Sequence, residues 1–205
     1  MKSRRKLTFL AIALGLMTAG AAHAQSLSGE SLVKALRQGG YVIVMRHASS
    51  PREEPDAKLA NPDNVNHERQ LDAEGRATAT AMGKALHDLK IPIGEVFSSP
   101  TYRALETVRL AQLGNVHPVP ELGDGGRSMQ VSSEAQAAWL RNKVTQFPSG
   151  TNTVLVTHFP NMTRAFPQSA AGLADGEALI FGPDGKGGAA VVARVKIEEW
   201  PPLRQ

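Results

Sequence analysis

The sequence predicts an α/β fold, a three-layer α/β/α sandwich around a mostly parallel central sheet. Three observations carry this. Short, apolar, β-branched runs recur along the chain with turn residues outside them. Segments whose apolar residues are spaced by three and four fill the gaps between the runs. The longest polar connections follow directly on strand ends, where open α/β sheets place their ligand sites.

In chain order, Tyr41-Val42-Ile43-Val44-Met45 is the first strand, a near-continuous hydrophobic run of the kind covered by helices on both faces. Asp72 is the N-cap of a helix in which Ala79, Met82, Leu86 and Leu89 share a face. Glu95-Val96-Phe97 forms the second strand, and Pro100 suits the first turn of a helix carrying Leu105, Val108 and Ala111. Val116-His117-Pro118-Val119 is the third strand. Ser133 caps a helix with Ala135, Trp139, Lys143 and Phe147 along one side and Leu140 and Val144 beside them. Thr153-Val154-Leu155-Val156-Thr157 is the fourth strand, again nearly all hydrophobic. Ala178-Leu179-Ile180-Phe181 and Ala190-Val191-Val192-Ala193-Arg194-Val195 follow, with Pro183-Asp184-Gly185 as a hairpin turn between them. The glycine-rich stretch around that turn lacks the spacing of a nucleotide-binding loop and the helix that should follow it. Connections 48–70 and 123–132 are long for a compact domain, a length that fits functional loops, disordered segments or plain surface excursions alike. There is no internal repeat, low-complexity tract or interdomain linker.

The 205 residues carry 23 Lys and Arg against 19 Asp and Glu, a formal +4. That excess sits in a short basic head, Lys2, Arg4, Arg5 and Lys6, ahead of an apolar stretch over residues 7–17 and an exit at Ala22-His23-Ala24. Such a pattern is expected to be a cleavable export signal over 1–24, with the Sec and twin-arginine routes both open to a Ser3-Arg4-Arg5 start. A single domain over 25–205 would follow, with 19 basic and 19 acidic residues. This balance excludes the simplest electrostatic case for nucleic-acid binding. After the head, no stretch approaches the roughly 20 consecutive apolar residues of a membrane helix. A periplasmic or secreted location is expected. Without cysteine, disulfides, thiol nucleophiles and thiolate metal sites are excluded.

Arg46-His47 stands at the end of the first strand and Thr157-His158 at the end of the fourth. If these strands are parallel neighbours, the two imidazoles emerge at one sheet edge roughly 5–10 Å apart. A third strand end, Phe97-Ser98-Ser99-Pro100-Thr101-Tyr102-Arg103, puts Arg103 in the first turn of a helix. Two His and two Arg thus converge on one crevice. Phosphoryl transfer to a histidine needs this set: a neutral imidazole attacks phosphorus, and guanidinium forks offset the dianion. The second imidazole stabilises an equatorial oxygen, and a carboxylic acid protonates the leaving alkoxide. The guanidiniums supply the positive charge, so neither metal nor cofactor is expected. His67, His87 and His117 have no partner at metal-ligand spacing. Lys34, Arg37, Arg141 and Lys143 read as solvated helix faces. Arg52 and Lys58 on the long loop are within reach of an anionic substrate, diluted by Glu53, Glu54 and Asp56.

Arg46-His47-Ala48, Ser98-Ser99-Pro100-x-x-Arg103-Ala104-x-x-Thr107 and Val156-Thr157-His158, with Arg69-x-Leu71-x-x-x-Gly75 between the first two, resemble the histidine phosphatase superfamily with the phosphoglycerate mutase-like fold. The resemblance runs in order from about Gly40 to His158 and implies a phosphatase with small phosphorylated substrates and no cofactor. It implies that His47 accepts the phosphoryl group, that Arg46, Arg103 and His158 form the phosphate pocket, and that Ser50 helps line it. The general acid stays open between two residues: Asp124 fits the Leu-x-acid spacing from Leu122, and Glu121 has the commoner residue type. A carboxylate from elsewhere is the third option.

Two positions depart from the family pattern: Ala48 stands where Gly is usual, and Thr157 precedes the second His where Gly is usual. Ala48 introduces strain if its backbone needs a positive φ, and Thr157 is expected to add bulk beside the pocket. They motivate an alternative, a phosphate-binding module of the same fold with little turnover. Mutase activity ranks third, because the short chain between the blocks leaves little material to enclose a sugar phosphate.

Overall fold

The computed structural model describes residues 26–124 and 132–204. The proposed export signal lies outside these residues. Six strands form one sheet in the order β3-β2-β4-β1-β5-β6. Their bounds are β1 Val42–Arg46, β2 Ile93–Ser98, β3 Val116–Pro118, β4 Asn152–Thr157, β5 Ala178–Pro183 and β6 Ala189–Val195. β3, β2, β4 and β1 pair in parallel, whereas β5 runs antiparallel to both β1 and β6. The β5–β6 hairpin closes through Asp184, whose Oδ1 accepts from the backbone N–H groups of Lys186 and Gly188 at 2.7 and 2.8 Å.

Alternation along β1 explains the three layers. Ile43 and Met45 face a core that includes helix α1 (Gly29–Gln38), α2 (Ala73–Asp88) and α3 (Tyr102–Leu110). Val42 and Val44 face a second core with α4 (Glu134–Lys143) and α5 (Phe159–Ala165). Successive strand side chains point to opposite faces, so a strand buried on both sides must be apolar throughout. The expected sandwich is therefore present.

Two helix starts follow the sequence closely. Asp72 caps α2 by accepting from Gly75 N–H at 2.7 Å, and Ser133 caps α4 by accepting from Gln136 N–H at 3.2 Å. Three details differ. Pro100 precedes α3, with Thr101 as N-cap, so its ring fixes the approach to the helix rather than its first turn. The buried face of α4 is Ala137 and Leu140, continued by Val144, while Ala135 is exposed and Phe147 lies beyond the helix. The expected stripe is thus one row off. Lys143 is also not a plain solvated residue, because its Nζ stands 4.0 Å from the centre of the Phe97 ring.

Gly75 sets how closely α2 approaches the end of β1. It lies in the first turn of α2, where a Cβ would collide with the carbonyl oxygen of Ser49. Its bareness lets α2 press against the connection that leaves His47. Ser49 Oγ completes the contact by donating to Asp72 Oδ2 at 2.7 Å.

Candidate active site

β1 and β4 are parallel neighbours, and Arg46 is in register with Thr157. The next residue on each strand is a histidine, so the sheet delivers both imidazoles to one edge. Their ring centroids stand 5.2 Å apart in an edge-on arrangement. The backbone fixes the pair further: His47 N–H donates to Thr157 O at 3.0 Å, and Gly176 N–H donates to His47 O at 2.9 Å.

Arg103 links the two rings. Its Nε donates to His47 Nε2 at 3.2 Å, and its Nη2 stands 3.2 Å from His158 Nδ1. His47 Nδ1 lies 2.8 Å from the carbonyl oxygen of Ala48. A carbonyl only accepts, so Nδ1 carries the proton and Nε2 keeps its lone pair toward Arg103. On His158, Nε2 faces Ser99 Oγ at 2.8 Å. Because Arg103 only donates, Nδ1 of His158 is the acceptor and Nε2–H points to Ser99.

These groups are withdrawn from water. His47 is 3% exposed, His158 1% and Asp124 7%. Burial, then the neighbouring His158 and Arg103, hold the His47 imidazole well below its ordinary value. Burial, then Arg103, Arg69 and Arg46, do the same to His158. A neutral His47 is thereby retained, as a nucleophile requires.

Asp124 ion-pairs with Arg103 Nη2, and its Oδ2 is 3.4 Å from His158 Nδ1. It follows a 3₁₀ turn, Pro120–Leu122, which Thr157 anchors by donating its hydroxyl to Leu122 O at 2.7 Å. Asn161 on α5 reinforces the turn by donating to Gly123 O at 3.0 Å. Glu121 sits on the same turn, but among the described residues it does not line the cavity over the histidines, whereas Asp124 does. The rest of that connection, 125–131, lies outside the described residues.

The cavity has a volume of about 1110 Å³ and takes in His47, His158, Arg46 and Ser50. Arg46 ion-pairs with Asp175, donates weakly to Leu173 O at 3.4 Å, and lies 5.6 Å from the Phe159 ring centre. Ser50 Oγ donates to Gln70 O at 2.9 Å, which closes the long connection on itself. Arg52 lines the cavity, as its reach suggested; Lys58 is not among the described lining residues. His67 and His117 are exposed, as is His87, and none of them lines it.

Both departures from the family pattern are accommodated. Ala48 is not among the residues with positive φ, so it brings no strain there. Its N–H donates to Thr107 Oγ1 at 3.1 Å, and that hydroxyl donates on to Arg103 O at 2.9 Å. Thr157 is fully buried and turned toward Leu122, away from the cavity lining. The expected crowding of the pocket is absent, because the hydroxyl has a carbonyl to satisfy elsewhere.

Several site residues do not stand out in the sequence. Arg69 lines the cavity while donating to Pro51 O and Ser50 O at 2.6 and 3.1 Å; it lies in the block ending at Gly75, which is the available signal. Asp175 reaches the site because β5 runs antiparallel to β1, so the chain entering β5 lies beside the chain leaving β1. α5, which carries Arg164 into the cavity, is a further helix beyond those expected, and Pro160 in its first turn is the mark of its start.

A model of the histidine phosphatase superfamily (branch 1) matches residues 42–126, which span Arg46, His47, Arg103 and Asp124. Among solved structures, the protein histidine phosphatase SixA complexed with tungstate is similar at 17% identity and TM-score 0.56, covering 77% of this chain and 97% of that one. A phosphoserine phosphatase variant from Entamoeba histolytica in complex with phosphoserine is similar at 14% identity and TM-score 0.55, covering 78% and 98%. SixA from Agrobacterium tumefaciens is similar at 15% identity and TM-score 0.54, covering 77% and 98%. No curated protein sequence matches the chain. The family model and the fold agree: over residues 42–126 this chain is similar to the histidine phosphatase superfamily, and its α/β fold is that of the phosphoglycerate mutase-like histidine phosphatases.

Proposed function

We propose that the chain is an exported phosphomonoesterase that works through a phosphohistidine on His47 without a metal. One observation carries this reading: His47 Nδ1 is pinned to Ala48 O while Nε2 is presented, unprotonated, beside Arg103 and His158. In the first step the Nε2 lone pair forms the N–P bond as the ester P–O bond breaks. The departing alkoxide takes the bonding pair and receives a proton from the Asp124 carboxyl. In the second step water attacks phosphorus and gives its proton to Asp124, and the N–P pair returns to His47. Ala48 O stabilises the charge on the phosphorylated ring through Nδ1–H.

The guanidiniums of Arg46, Arg103 and Arg69 offset the phosphate charge. In the free site Asp124 is tied to Arg103; an entering phosphate competes for that guanidinium and releases the carboxyl to take up a proton. Asp124 is favoured over Glu121 because it lines the cavity and Glu121 does not. Asp124→Asn should then lower kcat at least a hundredfold, and Glu121→Gln only slightly.

The direct test is phosphate release from an aryl phosphate by the wild type and His47→Ala. The wild type should turn over many times and the variant not at all; equal rates would refute the mechanism. Activity should also survive chelators. The binding-module alternative would show as stoichiometric vanadate binding without multiple turnover. Export is supported by the basic head, apolar stretch and Ala-x-Ala exit alone. A protein recovered outside the cytoplasm and starting at Gln25 would bear it out; one retained inside with residues 1–24 would not.

A further inference from the structure

Every carboxylate that lines the cavity among the described residues is already paired. Asp124 is held by Arg103, Asp175 by Arg46, and Glu134 by Arg141. Two lining guanidiniums are different. Arg52, on the connection after β1, and Arg164, on α5, have no hydrogen bond or ion pair with any described residue. The acidic neighbours of Arg52 in sequence do not neutralise it in the cavity, because Glu53, Glu54 and Asp56 line a separate depression with Leu59 and Arg76. Positive charge is therefore left over beyond what the phosphate site uses.

A phosphomonoester dianion alone leaves that surplus unexplained, since Arg103, Arg46 and Arg69 are the guanidiniums whose charge acts on the two histidines. Exposed guanidiniums facing a common cavity pair well with planar or tetrahedral anions. We propose that Arg52 and Arg164 form a second anion-recognition site, so that the substrates are phosphomonoesters carrying another negatively charged group, a carboxylate or a second phosphate. This rests on the phosphatase reading and narrows its substrate class.

Phosphonates test it without relying on turnover, because their C–P bond is not hydrolysed by this chemistry. Phenylphosphonate, para-carboxyphenylphosphonate and para-phenylene bisphosphonate should be titrated calorimetrically into the full chain and into Arg52→Gln/Arg164→Gln. In the wild type at least one doubly anionic ligand should bind about tenfold more tightly than phenylphosphonate, and the arm with the larger gain identifies the second group as carboxylate or phosphate. In the double variant that ratio should fall toward one. A wild-type ratio near one, or a ratio unchanged in the variant, overturns the second site and leaves the phosphatase reading intact. Failure of the wild type to bind any of the three would overturn both.

Discussion

Thr157 donates its hydroxyl to the carbonyl of Leu122 at 2.7 Å, which ties the strand ending in His158 to the turn that carries Asp124. The residue before the second histidine thus positions the candidate acid. Thr157→Val keeps the shape and leaves the buried carbonyl of Leu122 without its donor. The expected result is a loss of about 1–3 kcal/mol in stability, measured by urea unfolding. A fall in kcat larger than any rise in KM should accompany it, because the acid is displaced and phosphate binding by the guanidiniums is not. Unchanged kcat would show that the turn holds Asp124 without this bond.

Ser99 is buried and orients His158 by accepting from its Nε2 at 2.8 Å, while donating to Thr101 Oγ1 at 3.1 Å. Ser99→Ala should leave the fold in place and free the ring to rotate. Vanadate affinity and kcat should each drop about tenfold, with Ser99→Thr recovering part of the loss. If the serine only fills space, Ser99→Ala will match the wild type in both.

The buried imidazoles make stability depend on pH in a direction set by their depressed values. In the unfolded chain both titrate near the ordinary 6.5, whereas in the fold they stay neutral well below it. As pH falls below about 6.5 the unfolded chain binds protons that the folded chain refuses, so stability is lost on the acid side, by up to about 1.4 kcal/mol per pH unit for each ring. Thermal unfolding followed from about pH 7 down to pH 5 should be flatter in His47→Gln/His158→Gln than in the wild type. Parallel curves would mean that both rings titrate normally in the fold.

Much of the site is legible in the sequence because the strands that carry it are buried on both faces. Val42 to Met45 and Val154 to Val156 admit no polar residue, so each announces itself and its end, and the histidines fall on those ends. Arg103 is legible from the short apolar pair Val96-Phe97 that marks the end of β2, although the first half of that strand is not buried. What escapes depends on pairing rather than pattern. Asp175 joins the site only through the antiparallel run of β5 beside β1, and Arg69 returns to it through a long connection without regular periodicity. α4 misleads because its ten residues carry apolar side chains on more than one row, and only the packing on Val44, Leu155 and Leu179 picks out Ala137 and Leu140.

Covalent phosphorylation of His47 Nε2 during turnover is the step on which the proposed chemistry depends. Rapid acid-free quenching of the wild type with a radiolabelled phosphomonoester, followed by peptide mapping, tests it most directly. An alkali-stable, acid-labile label is predicted on the peptide containing His47, absent in His47→Ala and accumulating in Asp124→Asn if water attack slows more than phosphorylation. Turnover without any such label, or a label that persists in His47→Ala, would contradict it.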